Sequence, residues 1–264
     1  MRLTRGLRPV LLVPVVAAVL FVATGSAGGQ DREKIERGRE LYVTGCSSCH
    51  GLDGRGVDAS DGDARGPSLE HSGAASAYYM LTTGRMPLND PADNPVRKDP
   101  AYRPAEIAAL VAYVASLGDG PPIPVVDVSA GNLAVGGVLY RENCQACHSA
   151  TGAGGALSYG RAAPSLSKAT PTQVDAAIRT GPGQMPVFGP ETLSKRQVDS
   201  IARYVQYLEE PDDRGGLALG RLGPIPEGFL VWVLGIGLLL VICTWIGGRS
   251  RSRHAVDETE EATG

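Results

Sequence analysis

The chain has 264 residues, 43% of them apolar, and a formal charge of −3. That length holds two small domains with ordinary cores. With this charge and no long basic run, nucleic-acid binding has no electrostatic footing.

Arg2, Arg5 and Arg8 open the chain. An apolar stretch follows from Pro9 to Ala23, then small residues from Thr24 to Gly29. This order predicts an export signal over residues 1–29, with an uncleaved N-terminal anchor as the alternative.

One pattern then occurs twice. The first copy contains Gly38 and Tyr42, Cys46-Ser-Ser-Cys49-His50, Pro67-Ser-Leu69 and Gly84-Arg-Met86-Pro87. The second contains Gly136 and Tyr140, Cys144-Gln-Ala-Cys147-His148, Pro164-Ser-Leu166 and Gly183-Gln-Met185-Pro186. The methionine falls 36 residues after His50 and 37 after His148. Such agreement predicts two domains of one fold, over residues 30–118 and 134–209, with a linker at 119–133.

Each copy closes with an amphipathic helix. In the first, Pro104 fits the first helical position and Glu106 the third, and Ile107, Leu110, Val111, Val114 and Leu117 form the apolar stripe. In the second, Ser194 and Gln197 predict a capping box, and Leu193 and Val198 a hydrophobic staple. Val198, Ile201, Val205 and Leu208 are its stripe. Gly38 and Gly136 lie inside helical segments and predict close contact with the last helix, near Tyr113 and Tyr204. Gly118 and Asp119 end the first closing helix, and Pro121 to Pro124 stiffen the linker. The copies differ at Leu88–Arg103, a polar loop longer in copy one that offers a surface for a distinct partner.

A second linker, 210–228, is rich in Gly and Pro. Phe229 to Ile246 carries no charge, and its 18 residues make a helix of about 27 Å against a hydrocarbon core of about 30 Å. Phe229, Trp232 and Trp245 mark its ends as interfacial aromatics do. A transmembrane helix is expected over 229–248, with Cys243 a small apolar filler inside it. Arg249, Arg251 and Arg253 follow and place the tail, 249–264, in the cytoplasm. Arg2, Arg5 and Arg8 do the same for the N-terminus. The two copies then face the outer side of the cell membrane.

Four of the five cysteines form the two Cys-x-x-Cys pairs, each followed at once by His. This is the attachment signature of c-type haem. Two intervening residues set the thiols at the spacing of the haem vinyl groups, and the next His reaches the iron from the same side. The second axial ligand comes from the other face, and Met/His ligation raises the reduction potential. The expected covalent attachments of two haems c are therefore Cys46, Cys49, Cys144 and Cys147. The expected axial ligands are His50 with Met86 and His148 with Met185. Met80 is a rival in copy one but lacks the shared Gly-x-Met-Pro frame. His71 and His254 have no counterparts and are expected at the surface. Zinc sites or redox thiols also use Cys-x-x-Cys, but neither requires the His or the later Gly-x-Met-Pro. Pro67 and Pro164 are placed to offer a carbonyl to the other nitrogen of each histidine.

Each copy resembles a class I cytochrome c domain, with its first helix, Cys-x-x-Cys-His, Met loop and final helix. The full layout resembles the dihaem cytochrome c subunit of the actinobacterial cytochrome bc1 complex. The resemblance implies an all-α fold of two tandem domains plus a C-terminal span. It implies a subunit of a quinol–cytochrome c reductase, with cytochrome b and a Rieske iron–sulfur protein upstream and an aa3-type cytochrome c oxidase downstream. No substrate chemistry is expected of the isolated chain. The rival readings are a free-standing membrane-anchored dihaem carrier and a cytochrome subunit of a periplasmic dehydrogenase or peroxidase.

Overall fold

The computed structural model describes residues 12–57, 65–212 and 224–261. Arg2, Arg5 and Arg8, and linker residues 213–223, lie outside the described residues. Nine α-helices are described: α1 (Leu12–Gly45), α2 (Ser47–His50), α3 (Gly73–Thr82), α4 (Pro104–Ser116), α5 (Leu133–Asn143), α6 (Gln145–His148), α7 (Pro171–Thr180), α8 (Lys195–Glu209) and α9 (Pro224–Glu261). The α1 helix runs unbroken from the apolar leader into copy one. The helical expectation holds with one addition, a two-stranded antiparallel ladder of β1 (Gly155–Ala156) and β2 (Ala162–Ala163). Two compact units form. One holds Met1–Tyr140 with Lys168–Gln206; the other holds Arg141–Ser167 with Tyr207–Gly264.

The first unit is organised by two helix crossings. At Gly38, α1 lies against the backbone of α4, so that an added Cβ would strike the Ala109 carbonyl and the Tyr113 Cβ. One turn on, the fully buried Tyr42 sets its ring 5.0 Å from that of Tyr113. The second crossing repeats this. Gly136 of α5 meets the Ser200 carbonyl and the Tyr204 Cβ of α8, and Tyr140 lies 5.3 Å from Tyr204. The expected helix contacts are thus present in both copies. Only glycine allows such an approach, because any side chain would have to share the space of a carbonyl.

The closing helices begin where the sequence places them. Arg103 N donates to Glu106 Oε2 at 3.0 Å, capping α4 ahead of Pro104. At α8, Ser194 N donates to Gln197 Oε1 at 2.9 Å, and the Ser194 hydroxyl donates to the same oxygen. The Gln half of the expected box is present, while the serine hydroxyl turns to the glutamine. Leu193 and Val198 are both buried, as a staple requires. Ile107, Leu110, Val111 and Val114 join Tyr42 and Tyr113 in one core cluster. The linker is tied down: Asp127 N donates to Asp199 Oδ1, Asn132 N to Ser200 Oγ, and Arg203 Nη1 to Gly131 O.

The α3 and α7 helices have no counterpart in the sequence reading. Ala77 and Leu81 of α3 face the copy-one core. Its Ala75 and Tyr79, one step around, pack with Ala176 and Ala177 of α7. Copy one and copy two therefore share a seam of small side chains. Arg97, from the long loop, crosses this seam and donates to Lys168 O at 2.9 Å and to Gln173 Oε1 at 2.6 Å. Gln173, buried, returns a bond from Nε2 to Thr82 Oγ1 at 3.1 Å. The loop expected to serve a separate partner is thus pinned to copy two at Arg97, while 89–94 stay exposed.

In the second unit, the α6 turn lies beside β1, and Leu166 N donates to Gly152 O at 2.8 Å. Within α9, Gly228–Gly248 is apolar over 21 residues, about 31 Å of helix against a hydrocarbon core of about 30 Å. Its large side chains, Trp232 and Trp245 among them, are exposed. This helix is long and apolar enough to cross a membrane.

Gly38→Ala tests the first crossing. Ala gains about 1 kcal/mol of helix propensity, but overpacking costs about 1–3 kcal/mol. The guanidinium midpoint of the detergent-solubilised chain should fall; an unchanged or higher midpoint would show that the crossing has room for a methyl group.

Candidate functional site

In copy one, the first cysteine lies immediately before a single helical turn. Cys46 O accepts from Cys49 N at 3.2 Å and from His50 N at 3.0 Å, so α2 and the Cys46 that caps it hold both thiols and the imidazole on one short segment. His50 Nδ1 donates to Pro67 O at 2.8 Å. That bond fixes the tautomer and leaves Nε2 as the free acceptor, the arrangement of a ligating histidine. Tyr42, held by the helix crossing, donates from its hydroxyl to Gly51 O at 2.8 Å. The residue after the histidine is thus tied to the core.

Copy two builds the same turn in the second unit. Cys144 O accepts from Cys147 N at 3.1 Å and from His148 N at 2.9 Å. His148 Nδ1 donates to Pro164 O at 3.0 Å. Both proline carbonyls therefore occupy the places the sequence assigns them. Burial holds the His148 imidazole below its usual range, against the opposing pull of that bond.

The first thiol of each pair is buried enough to disfavour its thiolate. Burial, followed by the neighbouring Cys49, pushes Cys46 up to about 11, and burial followed by Cys147 does the same to Cys144. Redox and zinc-binding cysteines require the opposite shift, toward the thiolate. Among the described residues, no three His, Cys, Asp or Glu side chains cluster as a zinc site needs. The donor set fits a haem: two thiols on one turn, and a histidine whose Nδ1 is bonded to a proline carbonyl.

Met86 packs against the core cluster that Cys46 also borders. Met80 packs on the seam with Ala75, Tyr79, Ala176 and Ala177. The Met86 loop folds back on α3, with Arg85 N and Met86 N both donating to Met80 O. Met185, in the first unit, also packs on the seam cluster. A cavity of about 590 Å³ in copy one is lined by Tyr78, Tyr102, Ile107 and Val111 among others, and by none of the Cys, His or Met residues named above. His71 is exposed, as expected; the side chain of His254 lies outside the described residues.

Sequence reasoning missed Arg85, between Gly84 and Met86. Its side chain is 6% exposed, with Cζ 4.9 Å from the centroid of the Tyr79 ring. Burial lowers its basicity, the Tyr79 phenol raises it, and Arg97 lowers it again. The available signal was the contrast with Gln184 at the matching place in copy two.

Two Cys-x-x-Cys-His turns, each with a carbonyl-oriented histidine and a later methionine, define a protein of tandem cytochrome c domains. Residues 35–118 match the family model described as cytochrome c, and residues 131–205 match that of cytochrome c oxidase, cbb3-type, subunit III. The chain is 39% identical over 224 residues to the cytochrome bc1 complex cytochrome c subunit of Mycobacterium tuberculosis, an alignment covering 82% of this chain and 78% of that one. With the corresponding subunit of Corynebacterium efficiens it is 36% identical, covering 95% of this chain and 88% of the relative. A cbb3-type cytochrome c oxidase subunit of Azospirillum is 29% identical over 65% of this chain and 61% of its own. The chain belongs to the family of cytochrome bc1 complex cytochrome c subunits, electron-transfer proteins whose cytochrome c domains bind haem c.

The Tyr42 bond is open to test. Tyr42→Phe keeps the ring packing and removes the hydroxyl donor to Gly51 O, which still accepts from Gly54 N at 3.4 Å, a loss of about 0.5–1.5 kcal/mol. Thermal unfolding followed at the haem absorbance should show a lower Tm; an unchanged Tm would mean that the bond contributes nothing to the loop.

Proposed function

We propose that the chain carries electrons through two haems c inside a quinol-oxidising bc1 complex. The observation that carries this reading is the duplicated turn, in which each histidine gives Nδ1 to a proline carbonyl and keeps Nε2 for iron. One haem is held by Cys46 and Cys49, with His50 and Met86 as axial ligands. The other is held by Cys144 and Cys147, with His148 and Met185. For the second pair, the support is the spacing shared with copy one.

When bound, the haems supply one-electron oxidation and reduction. The chain's own residues set the conditions for it. Cys46, Cys49, Cys144 and Cys147 would hold the groups through thioether links. Met86 and Met185 would supply the second ligand to each iron, which would leave no position for a small substrate and would raise the potentials above those of histidine-only ligation. The peroxidase reading needs an open position and is disfavoured for that reason.

The donor in this reading is a Rieske iron–sulfur protein working with cytochrome b on menaquinol, and the acceptor is an aa3-type oxidase. The reaction is that of a quinol–cytochrome c reductase. Exposed apolar residues on α9 support an anchor in the cell membrane, and the arginine clusters at both chain ends support haem domains on the outer side. A tether of this kind replaces a soluble shuttle by raising the effective concentration of the carrier at its partners. The segment 1–29 acts as export signal or second anchor.

Purification through a C-terminal tag in mild detergent tests the assignment. Haem b and an iron–sulfur centre should accompany the chain, and a menaquinol analogue should reduce its c-type haems in stopped flow. A cytochrome that elutes alone and is not reduced would point to a free-standing carrier.

A further inference from the structure

The seam between copy one and copy two holds two guanidinium groups, Arg85 and Arg97, while the buried carboxylate of α7, Asp175, pairs with Arg179. Arg85 is 6% exposed, and its Nη1 is buried without a hydrogen-bond partner. Arg97 lies close enough to act on both Arg85 and the Tyr79 phenol, and it directs both of its terminal nitrogens to Lys168 O and one of them also to Gln173 Oε1. Among the described residues, no ion pair includes either arginine. A buried charge is ordinarily paired, and a buried donor left without a partner is costly, the more so when charged. The Tyr79 ring face offsets part of this through cation–π attraction. It offers no acceptor to Nη1.

The chemistry that meets this need is a carboxylate, whose planar oxygens match a guanidinium. Arg85 immediately precedes Met86, and the Met86 side chain borders the same core cluster as Cys46. A haem carries two propionate carboxylates. The need is confined to copy one, since copy two has the uncharged Gln184 at this position. We infer that Arg85 is a positioning residue whose buried Nη1 binds a propionate of the haem attached at Cys46 and Cys49, an inference that rests on the proposed haem site in copy one. The positive charge offsets the propionate and favours the reduced, less positive iron. Arg85 thus holds the potential of that haem up, and Met86 beside it supplies the axial ligand.

The test uses the full holo chain in detergent, by redox titration, with the two haems assigned through Met86→His and Met185→His backgrounds. Arg85→Gln reproduces the residue of copy two and removes the charge. It should shift the reduction equilibrium of the copy-one haem roughly tenfold toward the oxidised form, about 1.4 kcal/mol, with its thioether–iron charge-transfer band retained. Arg85→Lys should recover part of the shift. An unchanged potential in Arg85→Gln, a shift confined to the other haem, or Lys behaving as Gln would overturn the inference. Should the variants not assemble, infrared redox difference spectra of the unaltered chain with ¹³C-carboxyl haem decide it. At least one propionate should absorb away from the position of water-exposed carboxylates; all propionates at the aqueous position would refute it. A chain with no haem at Cys46 and Cys49 defeats the site assignment itself, whereas haem present with unmoved potential defeats only the role of Arg85.

Discussion

Two helices in each copy cross with their backbones in contact at a glycine, and the rest of the structure is arranged around that contact. At Gly38 the approach is so close that no side chain fits between α1 and the Ala109 carbonyl. The crossing fixes where Tyr42 stands, one turn later. Tyr42 in turn ties down Gly51, the residue after His50. His50 is oriented from its other side by Pro67 O. A backbone constraint thus passes through one tyrosine and one loop to the tautomer of an imidazole. Gly136, Tyr140 and Tyr204 repeat the crossing in copy two.

The second constraint is the seam. Ala75, Ala176 and Ala177 let α3 and α7 approach closely, and the Arg97–Gln173–Thr82 bonds hold polar groups in register at its edge. Small side chains permit the contact but do not specify it, because alanine packs against many surfaces. The buried polar bonds do specify it, since a shifted register would leave Gln173 and Arg97 unpaired.

The sequence made legible what is local or repeated. The matched spacing from Gly38 and Gly136 to the Cys pairs, the proline carbonyls, the start of α4 at Pro104 and the apolar run of α9 all depend on short motifs with a direct physical meaning. The α3 helix was not legible, because it is covered on two sides. Ala77 and Leu81 face one cluster and Ala75 and Tyr79 another, so burial alternates along the helix and no single apolar stripe forms. The α7 helix did carry a signal, the Thr170–Gln173 capping box with Pro171 at the first position, which lies outside the repeated motifs. Arg97 was beyond reach for another reason: its partners are 71 and 76 residues away, and nothing near Arg97 in the chain announces them. The ladder at Gly155–Ala163 is too short to leave an alternating pattern.

The central claim is that each Cys-x-x-Cys-His turn holds its own haem c. A pyridine haemochrome assay on the purified chain, set against protein concentration, measures this directly for the unaltered protein and for the variants Cys46→Ala/Cys49→Ala and Cys144→Ala/Cys147→Ala. The account predicts two c-type haems per unaltered chain and one in each variant. A single haem in the unaltered chain, or zinc in place of haem at either pair, would contradict it.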